Sequence, residues 1–256
     1  MSTYDNLLRI LEAVGDTRLD NPEQYHRAKP NFMLVAELLE RLDAALGFKV
    51  QFPNPYPDEC GLKSDRGVIS YRVPQALYQA WKISQLVREH RAPRVVEIGA
   101  GLGRTAFYAR ELGVTDYTIV DLPFTNVSQA HFLGTVIGPD VINLIGETRR
   151  KDAIKIITGD GFLANDERYD LVVNVDSFTE IDRKIAERYW SKIETNAPLF
   201  LFINHEHNCF TVNEFIKNSS KFKRVNRSYY WMRRGYIEEL IEFERKFQVI
   251  FRIFKR

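Results

Sequence analysis

The spacing of apolar positions changes near residue 94 and divides the chain into two textures. Before that point they recur at helical intervals. Leu7, Leu8, Leu11 and Val14 share one helix face, and Gly15 offers a stop. A second helix is predicted after Pro30, with Asn31 as N-cap and Gly47 as terminator. Phe32, Val35, Leu38, Leu39, Leu42 and Leu46 form its apolar stripe. Pro53, Pro55 and Pro57 predict a loop with extended pieces from Phe48 to Val73. Pro74 suits the first position of a third helix running to about His90.

From residue 94 onward, short β-branched runs alternate with helical patterns. RVVEI (94–98) precedes a glycine-rich turn and a helix through Leu112, and DYTIVDL (116–122) precedes a helix over Val127–Ile137. VINLI (141–145) and IKIIT (154–158) both read as strands, and the pattern leaves open which of them joins the main sheet. DLVVNV (170–175) and PLFLFIN (198–204) flank a helix from about Asp182 to Ile193. Their continuous apolar character is that of parallel strands buried on both faces. The order implies a parallel, doubly wound α/β sheet preceded by a helical extension. The predicted division is an extension or lid over residues 1–73 and a ligand-binding domain over 74–256.

Composition narrows the function classes. Of the 256 residues, 45% are hydrophobic, enough for a sizeable core, and a net charge of +2 points to no particular partner. The C-terminal basic residues are interrupted by Glu238, Glu239, Glu242 and Glu244 and lack an aromatic-interleaved pattern, so they read as a solvated face, not a nucleic-acid site. Two cysteines, Cys60 and Cys209, are too few for a metal or disulfide framework, and a reducing cytoplasmic setting is expected. The first residues do not read as a signal peptide, and no apolar run approaches the roughly 20 residues of a membrane span.

The chemistry-bearing segment is EIGAGLGRT (97–105), which follows a strand and opens a helix. Gly99, Gly101 and Gly103 permit a tight turn and close approach to a ligand, while the helix N-terminus offers free N–H groups. Asp121 ends the next strand, where a carboxylate can accept hydrogen bonds from both ribose hydroxyls. Together they form a nucleoside site. A nicotinamide fingerprint would need its third glycine at position 104, which is Arg104.

The pattern ExGxGxG, with Glu97 on the strand, resembles motif I of class I methyltransferases. VVEIGAGLGRTAFYA (95–109), DYTIVDLP (116–123), NVDSFTEI (174–181) and INHEHNCFTV (203–212) are together similar to bacterial proteins described as sugar O-methyltransferases. The resemblance covers about residues 66–215. It implies a Rossmann-like class I fold, a mostly parallel seven-stranded sheet with helices on both faces. It also implies S-adenosylmethionine as cofactor and a sugar or sugar-nucleotide hydroxyl as acceptor. The implied cofactor-binding set is Glu97, Gly99, Ala100, Gly101, Gly103, Thr105, Asp121, Leu122, Asp160, Gly161, Phe162 and Asn174. Asp160, in ITGDGF (157–162), would receive the adenine amino group, with Phe162 packed nearby.

Methyl transfer to a sugar hydroxyl benefits from a base. His205, directly after the strand LFLFIN, is the candidate, with Asp176 or Glu206 orienting its imidazole. His131 and His207 have no comparable placement, and His26 and His90 are expected to be exposed. Asp176, His205, Glu206 and His207 offer metal-ligand chemistry, but adjacent strand residues point to opposite faces, and no metal is assigned. In SYYWMRRGYIEE (228–239), Tyr229, Tyr230, Trp231 and Tyr236 suit either stacking on a sugar or a place in the core. Arg233 and Arg234 suit a phosphate. The alternatives are a non-sugar acceptor, or a protein that binds the cofactor without turnover. The N-terminal stripes need a cover, either the acceptor site or the interface of a homodimer.

Overall fold

The computed structural model describes residues 2–18 and 33–244. Asn31, Phe32, His26 and the basic residues beyond Glu244 lie outside them.

Helix α1 (Thr3–Ala13) starts at Ser2, whose hydroxyl accepts the Asp5 amide while the Asp5 carboxylate takes the Ser2 amide. Helix α2 (Val35–Leu46) ends at Gly47, where a φ of 80° suits glycine. The proline-rich stretch holds a short hairpin, β1 (Gly61–Ser64) against β2 (Gly67–Ser70). Helix α3 (Val73–Val87) carries Pro74 in its first turn.

Strand β3 (Arg94–Ile98) leads through the glycine turn into α4 (Arg104–Glu111) and then β4 (Asp116–Asp121). Helix α5 (Pro123–Ile137) begins earlier than the apolar spacing indicates, because Pro123 serves its first turn. Both uncertain segments join the sheet: β6 (Ile154–Thr158) pairs with β4, and the two-residue β5 (Ile142–Asn143) pairs outside it. ITGDGF is not a plain loop, since Thr158 caps a short helix, α6 (Gly159–Ala164). Then follow β7 (Leu171–Val175), α7 (Arg183–Asn196), β8 (Leu199–His205) and α8 (Val212–Asn218). A closing hairpin, β9 (Phe222–Tyr229) and β10 (Tyr236–Phe243), completes the sheet.

The strand order is β5-β6-β4-β3-β7-β8-β10-β9. All neighbours from β5 to β8 are parallel, and β10 runs antiparallel to both β8 and β9. The expected seven strands are therefore present, with β5 as an additional edge piece.

Alternate side chains of the central strands enter two cores. Val95, Ile119, Val173 and Leu201 face α1 to α5, and Leu38, Leu39 and Leu42 of α2 belong to that same continuous cluster. Val96, Val120, Val172 and Phe200 face α6 to α8, where Trp190 stacks on Phe215 with ring centroids 5.5 Å apart. No helix among the described residues is long and apolar enough to cross a membrane.

Candidate active site

Neighbours β4 and β7 leave β3 on opposite sides, so a crevice opens beyond the carboxyl ends of β3 and β7, where open α/β sheets take their ligands. The glycine turn forms one wall. Gly99 has φ 75°, and a Cβ there would come within 2.0 Å of the Ser177 hydroxyl, so only glycine fits. Gln129, from α5, donates to the Gly101 carbonyl and to the Asp121 carboxylate, each at 2.8 Å, and so ties the turn to the end of β4.

Glu97 lies beneath this turn, 2% exposed, and accepts from the Tyr117 hydroxyl at 2.9 Å. Burial pushes its carboxyl up to about 7 against the hydroxyl bonds that oppose the shift. Asp121 is half-buried and its carboxyl is likewise raised, chiefly by loss of water. Its other oxygen accepts the Leu122 amide at 2.8 Å, while the Leu122 side chain is exposed.

A cavity of about 470 Å³ occupies the crevice. The turn contributes Glu97, Gly99 to Leu102, Arg104 and Thr105, and the end of β7 contributes Val175, Asp176 and Ser177. The remaining wall comes from the segment before the sheet: Glu59, Ser70, Tyr71, Arg72, Gln75, Ala76 and Gln79. No spacing in the sequence marks those residues, because they reach the cavity only through tertiary packing, Gln75, Ala76 and Gln79 by way of α3 on α4. Arg104 pairs with Glu59 at 2.6 Å, and Thr105 donates to Gln79 at 2.9 Å, so the first two residues of α4 are fastened to that wall.

Asp176 holds a φ of 66°, a conformation that costs a non-glycine residue energy and aims the carboxylate inward. One of its oxygens pairs with Arg233 and the other accepts the Tyr236 hydroxyl, each at 2.5 Å. Arg72 stands 3.8 Å away.

The remaining candidates fall elsewhere. Asn174 is fully buried and its amide is spent within the protein. It donates to the Ile98 carbonyl at 2.8 Å and the Ser177 hydroxyl at 2.7 Å, and accepts from Phe178 N and Asn204 Nδ2. Thr179 and Asn208 extend that network. NVDSFTEI and INHEH therefore clamp the ends of β3, β7 and β8 together, and Asn174 has no bond left for a cofactor. Phe162 is buried against Tyr169 and Tyr189 in the core of the other face. Asp160 is exposed and Gly161 half-buried, on α6 just past Thr158, the register partner of Asp121.

His205 ends β8, edge-on to Tyr236 with ring centroids 5.0 Å apart, and its Nδ1 accepts the His207 amide at 3.1 Å. Gly235 leaves the space its Nε2 occupies. Neither expected orienting carboxylate bonds its ring: Glu206 pairs with Arg227, and Asp176 with Arg233 and Tyr236. His205 does not line the cavity, whereas Asp176 does. Among the described residues, no three His, Cys, Asp or Glu side chains gather as metal ligands would. The aromatic segment divides: Tyr230 and Trp231 pack on Tyr78, Tyr236 reaches Asp176, and Tyr229 is exposed. His90 is half-buried beside Asp170, not exposed.

The sequence matches no protein-family model and no curated protein. Solved structures do resemble it. MtNAS in complex with MTA and tNA gives a TM-score of 0.50 at 14% identity, over 68% of this chain and 62% of that one. The glycopeptide N-methyltransferase MtfA complexed with S-adenosyl-L-methionine gives 0.48 at 14% identity, over 75% of this chain and all of that one. A protein from Pyrococcus horikoshii, described as a candidate RNA methyltransferase, gives 0.46 at 15% identity, over 84% of this chain and 99% of that one. At such identities the likeness is one of fold. The architecture is the Rossmann-like class I methyltransferase sheet that the sequence implied.

Proposed function

We propose that this protein is an S-adenosylmethionine-dependent methyltransferase acting on a hydroxyl of a sugar or glycan-related small molecule. The observation that carries this reading is the cavity at the switch point, bounded by the glycine turn and Asp176. Asp121 would hold the ribose hydroxyls and Asp160 the adenine amino group, with the amino-acid end of the cofactor over Gly99 to Gly101. The cavity walls include carboxylate, guanidinium, amide and hydroxyl groups that would orient a hydroxylated acceptor.

Bound S-adenosylmethionine supplies an electrophilic methyl carbon. The protein then has to align the acceptor oxygen with the S–CH₃ bond, and such positioning alone supplies several kcal/mol. Asp176, the catalytic candidate that lines the cavity, would hold the acceptor hydroxyl and take its proton as the oxygen attacks. Arg233 and Tyr236 keep its carboxylate in place, and His205 packs edge-on against the Tyr236 ring. The segment up to residue 73 would act as one wall of the site.

Calorimetric titration tests the reading. S-adenosylmethionine and S-adenosylhomocysteine should bind in the micromolar range, with binding lost in Asp121→Ala and NAD ignored. A preference for NAD, or binding of none of the three, would overturn it. Product mapping on glycosides, phenols and amines then identifies the acceptor class.

A further inference from the structure

The charges around the cavity are not all matched. Arg104 has Glu59, and Asp176 has Arg233 and the Tyr236 hydroxyl. Two groups are left over. Glu97 is bonded by the Tyr117 hydroxyl but has no cation beside it among the described residues. The Arg72 guanidinium donates through Nε to the Tyr71 hydroxyl at 3.2 Å. Its Nη1 stands 3.8 Å from an Asp176 oxygen that Arg233 already occupies at 2.5 Å.

Both leftover groups line the one cavity, Glu97 from beneath the glycine turn and Arg72 from the residue before α3. A buried carboxyl with no cation beside it among the described residues, and a guanidinium whose nearest anion is 3.8 Å off and shared with Arg233, complement a zwitterion. An α-amino acid presents those two charges on one carbon. A planar guanidinium also matches a carboxylate through two parallel hydrogen bonds.

We propose that Arg72 receives the α-carboxylate of the cofactor's amino-acid end, as a cofactor-binding residue contributed by the segment that precedes the sheet. The assignment rests on the cofactor reading above. Arg72 then swings from the outer edge of Asp176 onto the ligand. Cofactor binding thereby leaves Asp176 to Arg233 and Tyr236 alone and fixes the start of α3 over the site.

The test compares two ligands that differ in the amino-acid end. S-adenosylhomocysteine carries the carboxylate, and 5′-methylthioadenosine keeps the nucleoside and sulfur without it. In Arg72→Gln, affinity for S-adenosylhomocysteine should fall roughly 10- to 100-fold, the weight of a hydrogen-bonded charge pair. Arg72→Lys should lose less, since it keeps the charge and loses the fork. Both variants should bind 5′-methylthioadenosine as well as the unchanged protein does, which shows that the cavity is still built. Unchanged affinity for S-adenosylhomocysteine, with or without a raised KM for an acceptor, would overturn the assignment, as would an equal loss for both ligands. Failure of the unchanged protein to bind either ligand would instead overturn the cofactor reading itself.

Discussion

Between pH 4.5 and about 7, Glu97 keeps a proton that the unfolded chain would release. Its carboxyl is raised from 4.5 to about 7, mainly by burial. Between those pH values the native state therefore binds more protons than the unfolded state, and stability falls as pH rises through that window, levelling off above about 7. Glu97→Gln removes this dependence while its amide oxygen can still accept from Tyr117. The unfolding temperature of the parent protein should drop more steeply than that of Glu97→Gln from pH 4.5 to 7, as scanning calorimetry would show. Asp121 is raised too, and its charge is part of what raises Glu97, so the difference between the profiles reports Glu97 together with that coupling. Parallel profiles would mean that Glu97 is already ionised in the folded state. Glu97, the three glycines and Asp121 were legible in the sequence because a strand, a turn and the next strand end lie close together along the chain. Asn174 was legible only in place. Its position on the carboxyl edge suggested a ligand contact, yet its four hydrogen bonds run to residues as distant as Ile98 and Asn204, which no local pattern reveals.

At the scale of elements, the parallel strands β3, β4, β7 and β8 announced themselves as apolar runs, while the hairpin β9–β10 did not. Most of β9 is exposed, as an edge strand with a polar sequence. In YIEELIEF of β10, charge hides burial: Glu238 meets Lys82 and Tyr78, and Glu239 meets Arg227. Burial raises the Glu239 carboxyl and the Arg227 guanidinium at 2.8 Å opposes that shift. Removing one partner should therefore cost more than removing both. Arg227→Met leaves a buried carboxylate uncompensated and should cost about 2 kcal/mol, reduced from the fully buried case because Arg227 is partly exposed. The pair Arg227→Met with Glu239→Leu should recover most of that loss in urea denaturation at neutral pH. If the double variant is no more stable than the single one, the ion pair is not what makes charge tolerable in this strand.

At the scale of the whole molecule, the boundary read at residue 73 is crossed by packing. Leu7, Leu11, Leu38 and Leu42 share one core with Ile83 of α3, Ala106 of α4 and Val95 of β3. The apolar stripes of the first two helices were visible in the sequence. What covers them was not, because a stripe states that a face is buried and never against which element. Helix α1 packs against both α2 and α3, the helix whose start carries Arg72 and Gln75 to the cavity. The extension thus braces the cavity wall, and its loss would loosen that wall as well as expose apolar side chains. This arrangement predicts one cooperative unfolding transition for the whole chain, with calorimetric and van't Hoff enthalpies equal. S-adenosylhomocysteine should move that transition upward as a unit, by an amount that grows with ligand concentration over its dissociation constant. A separate low-temperature transition, unmoved by the ligand, would show the first helices unfolding on their own. The wall containing Arg72 would then have to be held by α3 and α4 alone.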